Sequence, residues 1–276
     1  MNTKLCVIFV TLLSLAFANT LTKYDDNKPQ LFSINDQIKK MIELLKDHMP
    51  CGIPELGVPV LAPMEKDFAE FQYQQKLAEI IVNMFDLNVD GLNNFEVNSV
   101  SLSVLTLKLK FDFTFKEIQA KSQYVANAIL LKILRIKGNG DADITLKDLR
   151  IVGEAQIGSN STTKDLYLRD FKATIVLGQF KSDITGLLWG KLTGKLANAA
   201  IEKAVPLLLK HRHDDVVDIV RGVVTEIVNA KLKGLTIKDL LDLINNFPEL
   251  EECNPPAIKQ YETYGLEELE KLVKAL

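Results

Sequence analysis

The chain has 276 residues, 47% of them apolar, with 33 Lys and Arg against 36 Asp and Glu for a formal net charge of −3. That weakly negative balance speaks against nucleic acid, which requires clustered Lys and Arg to meet phosphate. The apolar half is ample material for a sizeable core.

Residues 1–18 read as a secretory signal: Lys4 supplies the charged start, residues 5–15 a short apolar run, and Ala16-Phe17-Ala18 a small-x-small cleavage site. The run falls short of the ~20 residues that span a bilayer, and no later segment is both long and uncharged enough to do so. The expected product is therefore a secreted, extracellular chain of residues 19–276, without stable membrane insertion. Losing Lys4 takes its charge from −3 to −4. Cys6 leaves with the signal, so Cys51 and Cys253 remain. In an oxidising compartment two cysteines have one intramolecular pairing, and a disulfide between them would pin both ends of the chain together.

Ser33-Ile34-Asn35-Asp36 has the form of a capping box, and Ile34, Ile38, Met41, Ile42, Leu45 and Met49 follow at helical spacing. Pro50 and Gly52 end that helix. Residues 53–67 carry three prolines and read as an extended segment lying on the body of the protein. Residues 68–92 move from a mixed pattern into strand, with turn chemistry at Asn88-Val89-Asp90-Gly91.

Residues 95–115 alternate with period two through Phe95, Val97, Val100, Leu102 and Val104, then Leu105, Leu107, Leu109, Phe111, Phe113 and Phe115. The alternation slips near Ser99 and at Val104-Leu105, so one or two long, bulged, strongly curved strands are expected. Strand character continues to about Gly178, with a hairpin signal at Lys137-Gly138-Asn139-Gly140-Asp141 and a polar turn at residues 158–163. From Leu187 a helical stripe runs through Leu188, Leu192, Leu196, Val205 and Leu208 to Ile227, with a kink expected at Pro206 and an end at Gly234. Thr236-Ile237-Lys238-Asp239 opens another capped helix, and Leu266, Leu269, Leu272, Val273 and Leu276 suggest one more in the tail. The fold class is α+β: a long, strongly curved antiparallel sheet wrapped around a long C-terminal helix, one elongated unit with a helical extension from about residue 235.

Catalytic constellations are weak. Lys210-His211-Arg212-His213-Asp214-Asp215 gathers metal-binding side chains, but His211 and His213 are two apart and point to different helix faces. His211 with Asp214 or Asp215 gives only two ligands, so a solvated segment is the expected role. His48 beside Cys51 would make a Cys–His pair, which a bridge at Cys51 removes. Neither a Gly-x-Ser-x-Gly elbow nor a phosphate-cradling Gly-rich loop occurs. No enzyme activity, cofactor or metal is expected, and no partner protein is indicated. Asn160-Ser161-Thr162 is a glycosylation acceptor in a polar turn.

The segments Gly52-Ile53-Pro54-Glu55-Leu56-Gly57-Val58-Pro59 and Leu87-Asn88-Val89-Asp90-Gly91-Leu92, together with Gly138-Asn139-Gly140 and the element order, carry a resemblance over about residues 33–233. The chain resembles the single-unit branch of the tubular lipid-binding superfamily that joins mammalian bactericidal and lipopolysaccharide-binding proteins to arthropod carriers. Two arthropod families are nearest: mite group 7 allergen-like proteins and juvenile-hormone-binding or takeout-like proteins. The takeout-like pattern has a close cysteine pair near the mature N-terminus, which this chain lacks. That difference favours the group 7-like branch and speaks against juvenile hormone as ligand.

The resemblance implies an elongated fold with a lengthwise apolar tunnel. Val100, Leu102, Leu107, Leu109, Phe111, Phe113 and Phe115, with Leu192 and Leu196 from the helical stripe, are then the candidate ligand-binding side chains. The same apolar face would equally fill a solid core. The expected function is a carrier that sequesters a lipid, fatty acid or terpenoid; the alternative is a recognition protein that meets membrane surfaces or microbial lipids through an exposed apolar end.

Overall fold

The computed structural model describes residues 34–254, except 55–57, 76, 77, 131–133, 190, 191, 246, 248, 249 and 251. The cleavage site, Ser33 and the tail helix lie outside the described residues. The element order is α1 (Ile34–His48), β1 (Met64–Gln75), β2 (Ala78–Asp90), β3 (Phe95–Ser103), β4 (Lys108–Leu130), β5 (Leu134–Ser159), β6 (Leu166–Ile184), β7 (Leu187–Trp189), β8 (Leu192–Thr193), α2 (Gly194–His211), α3 (His213–Leu232) and α4 (Ile237–Asn245).

The strands form one antiparallel sheet built on β4 and β5. Their 23 and 26 residues would each reach on the order of 75–85 Å if flat, so the pair has to curve. β3 and β2 take turns along the outer edge of β4: β3 pairs residues 108–115 and β2 pairs residues 119–130. On the far side, β6 pairs residues 142–159 of β5, while β7 takes residues 136–138.

The expected slip near Ser99 is a register shift between Val97 and Ser99. The slip at Val104-Leu105 is a chain reversal instead, since Ser103 pairs with Lys108. Gly138 and Gly140 do not make a hairpin. They lie inside β5, and the chain turns back between Leu130 and Leu134. Glycine is needed there for space: an added Cβ would meet the Tyr124 phenol at position 138 and Thr185 at position 140. Residues 64–90 also hold a hairpin, β1 against β2, beginning at Met64 inside the segment expected to be irregular.

The inward face changes parity partway along the sheet. In β4 Phe115 and Ile118 are buried while Lys116 and Glu117 between them are exposed; β6 does the same around Gly178 and Gln179. Between them β5 changes parity at Asp148, whose φ is 52°, a left-handed conformation that Asp tolerates better than most residues. The exchange adds curvature while keeping apolar side chains inside.

The helical stripe begins later than its apolar pattern suggests. Leu187–Trp189 and Leu192–Thr193 form short strands, with Leu187 paired to Gly138. Pro206 lies within α2, and the break comes at Arg212, where φ −126° and ψ 34° leave the helical region. Asp214 and Asp215 then open α3, placed where the helix dipole favours negative charge. α4 has the expected cap: Asp239 Oδ2 accepts from the Thr236 N–H at 2.8 Å, and Thr236 Oγ1 accepts from the Asp239 N–H at 3.3 Å.

A candidate apolar interior and its seam

Period-two sequence places Leu109, Phe111, Phe113 and Phe115 on the inner face of β4, where all four are buried, and Leu107, in the turn just before the strand, is buried with them. Phe111 stacks on Phe113 at 5.8 Å and on Phe171 of β6 at 6.1 Å, and Phe95 meets Phe113 edge-on at 5.7 Å. Val224, Val228 and Leu232 of α3, Leu240 of α4 and Met41 of α1 belong to the same cluster, and Val100 packs against it. Sheet and helices therefore share a dense core at this end. A smaller cluster of Tyr124, Ile184, Leu187 and Ala197 closes the other end. Burial pushes the Tyr124 phenol pKa up, and its O–H donates to the Thr185 carbonyl at 2.9 Å.

The stretch between the clusters is different. On β6, Leu166, Leu168 and Phe171 at one end and Ile184 at the other are buried, but the inward residues between them are only partly so. Ile175 and Leu177 on β6, Val205 on α2, and Val216 and Ile219 on α3 are partly exposed and lie outside both clusters. Ser182, also on the inner face of β6, has a buried hydroxyl without a hydrogen-bond partner among the described residues. An apolar surface that is sealed at its ends and open in the middle can hold an apolar guest.

The sequence-derived ligand set divides accordingly. Leu102, Leu107, Leu109, Phe111, Phe113 and Phe115 come together, with Val100 beside them, but in the densely packed end. Leu196 faces outward at 68% exposure, and Leu192 falls in β8 rather than on the helix. The half-open stretch was missed. Its signal is the alternation Phe171, Ala173, Ile175, Leu177, followed by Phe180 after one skipped position.

Among the described residues β6 pairs with β5 alone, on one side; its other edge is met by side chains of α2 and α3. The Leu168 N–H donates to Asn229 Oδ1 at 2.7 Å, and Arg221 Nε donates to the Phe171 carbonyl at 3.0 Å. The Ile175 N–H donates to His213 Nε2 at 3.2 Å, and the Ser182 N–H to Glu202 Oε1 at 2.8 Å. Buried Asn198 accepts from the Ile184 N–H and donates to the Ile184 carbonyl, both at 3.0 Å. These contacts satisfy backbone groups that an open edge would leave exposed. His213 is thus docked on the sheet rather than solvated.

Other candidate chemistry is accounted for. Cys51 and Cys253 are joined with Cα atoms 5.8 Å apart, which removes the thiol from His48, whose Nδ1 lies 2.8 Å from the Leu44 carbonyl. Among the described residues no three His, Cys, Asp or Glu side chains converge as metal ligands, and no helix is long and apolar enough to cross a membrane. On the sheet's outer face, hydrogen bonds from Arg150 and then Asn98 hold the Asp112 pKa below the usual carboxylate range.

The sequence matches a family model described as haemolymph juvenile hormone binding protein over residues 5–242. Among solved structures it is similar to Takeout 1 of Epiphyas postvittana, at 14% identity and TM-score 0.48, covering 71% of this chain and 91% of that one. It is also similar to a lipopolysaccharide binding protein, at 13% identity and TM-score 0.25, covering 72% of this chain and 38% of that one. Comparison with curated proteins gives no match. The family match falls on the arthropod branch that the missing cysteine pair disfavours. One covalent link is a weaker marker than the element order that positions the whole core.

Proposed function

Because the chain belongs to the haemolymph juvenile hormone binding protein family, we infer that it is a secreted carrier that sequesters a hydrophobic small molecule without a chemical step. The observation that supports this reading best is the graded cover of β6, buried at both ends and only partly buried across Ile175 and Leu177. Leaving such a surface in water forgoes about 25 cal/mol for each Å², and a bound lipid, fatty acid or terpenoid recovers it. The guest lies against Ile175, Leu177, Val216 and Ile219, with Val100 and the Phe111–Phe113 pair forming the closed end. Extraction of natively purified protein with organic solvent, followed by mass spectrometry, tests the reading. A stoichiometric apolar compound is expected, and its absence from protein purified out of lipid-rich medium contradicts it.

A second reading has one observation of its own. In the turn between β3 and β4, Leu105 is 95% exposed and Val104 41% exposed. Such a tip suits insertion into a membrane surface or a microbial lipid layer. Vesicle binding that is lost in Leu105→Ser, from protein that yields no extractable lipid, would favour it. Asn160, in an exposed turn, is the proposed glycan acceptor; a mass decrease after glycosidase treatment, absent in Asn160→Gln, is the check.

A further inference from the structure

The middle of the seam hangs on a contact that a proton reverses. His213 Nε2 accepts the Ile175 N–H, and a ring nitrogen accepts only when it carries no proton. The proton of the neutral ring then sits on Nδ1, which lies 3.4 Å from Asp214 Oδ1. In the imidazolium both nitrogens are donors, so Nε2–H would face the Ile175 N–H, donor against donor. Histidine is the side chain that undergoes this change between about pH 5 and 8.

We propose that His213 is an acid-released latch on the apolar interior, holding the β6–α3 seam shut when neutral and opening it when protonated. This rests on the carrier reading, since it assigns the regulation of that same interior. Position carries the argument. Ile175 is a seam residue whose apolar side chain belongs to the partly exposed stretch of the inner face. Asn229 and Arg221 fasten β6 toward one end, and Glu202 and Asn198 toward the other. Losing the His213 contact releases the helix-facing edge of β6 between Phe171 and Ser182, while the strand stays paired with β5 and fastened to α2 and α3 at both ends. The opening is therefore a side portal and not unfolding.

The surroundings leave the cation somewhere to go. Asp214 is beside Nδ1, and Arg212 and Asp215 are paired with each other. Lys210 and His211 end α2. On β6 the flanking positions, Thr174 and Val176, are uncharged; beyond them Lys172 pairs with Glu154 and Asp170, and Lys181 is exposed. No carboxylate on β6 lies next to Ile175 to hold a protonated ring in place.

The test is amide hydrogen exchange on the full mature chain at about pH 7.5 and about pH 5, reading the protection of Ile175 against that of Ile184. At the lower pH the Ile175 ratio is expected to fall about tenfold, as for one lost hydrogen bond. N-phenyl-1-naphthylamine, an uncharged apolar fluorophore, should leave the protein faster by a similar factor. His213→Gln supplies an acceptor that does not titrate and should abolish both pH responses; His213→Phe should release the probe quickly at either pH. An unchanged Ile175-to-Ile184 ratio in the wild type, or an undiminished pH response in His213→Gln, overturns the proposal. If the fluorophore binds at neither pH the carrier reading fails, while the Ile175 ratio still decides the latch.

Discussion

The Tyr124 ring lies directly over the backbone of Gly138, where a Cβ would come within 2.1 Å of the phenol oxygen. Tyr124 is buried and its O–H holds the Thr185 carbonyl, so the ring has no cheap way to move aside. Gly138→Ala is expected to cost about 1–3 kcal/mol in urea unfolding. In a Tyr124→Ala background the same change should cost much less, because the two residues share one contact. Equal costs in both backgrounds would contradict this account of the glycine.

The Cys51–Cys253 bridge spans a sequence separation of 202 and ties the end of α1 to the chain beyond α4. Replacing both cysteines by Ser should lower stability by about 2–5 kcal/mol, the usual range for a native disulfide. Non-reducing digestion of wild-type protein should release the two peptides joined. Two alkylatable thiols in natively purified material would refute the pairing.

Hydrogen bonds from the Thr236 backbone and then its side chain hold the Asp239 pKa below the ordinary carboxylate value. A carboxylate stabilised in this way supports the fold above its unfolded-state pKa of about 3.9, and that support is lost as pH falls through the lower folded value. Acid should therefore loosen the first turn of α4. The melting temperature should drop more steeply below about pH 4 in the wild type than in Asp239→Asn; identical profiles would remove Asp239 from the explanation.

Core and interior should respond differently to substitution. Phe113→Ala in the packed end is expected to cost about 3–5 kcal/mol. Leu177→Trp in the half-open stretch should cost less than the roughly 1–3 kcal/mol typical of overpacking, and should lower the amount of extractable lipid. A large loss of stability from Leu177→Trp would mean that the stretch is already filled by protein.

Much of the fold was legible because it follows from periodicity. α1, the long strands through Phe115, the bulge at Ser99 and the capped α4 all come from local pattern. Two of the misreadings share one cause: a residue with two physical uses. Gly138 and Gly140 suit a turn, but also a strand that must pass under Tyr124 and Thr185. Pro206 disfavours a helix interior, yet α2 carries it and yields at Arg212, where a new acidic N-terminus begins. The interior was harder to read. Ile175 and Phe113 are equally apolar strand residues, and only their unequal cover in the folded chain separates the partly exposed stretch from the core. The seam could not be read at all, since Asn198, Glu202, His213, Arg221 and Asn229 resemble an ordinary solvated helix face until the edge of β6 is laid against them.

The parity exchange at Asp148 gives β5 two reading frames. Before it the inward side chains are Ile144 and Leu146; after it they are Leu149 and Ile151. A single deletion elsewhere in β5 would shift every residue between itself and the nearest turn to the wrong side. Deleting Asp148 removes the very residue that offsets the frames, so both halves cannot keep their present faces and their pairings with β4 and β6. The strand therefore tolerates changes of residue far better than changes of length, and its length tolerance is lowest beside Asp148, where a Cβ added at Gly178 of β6 would come within 2.8 Å of the Asp148 Cβ.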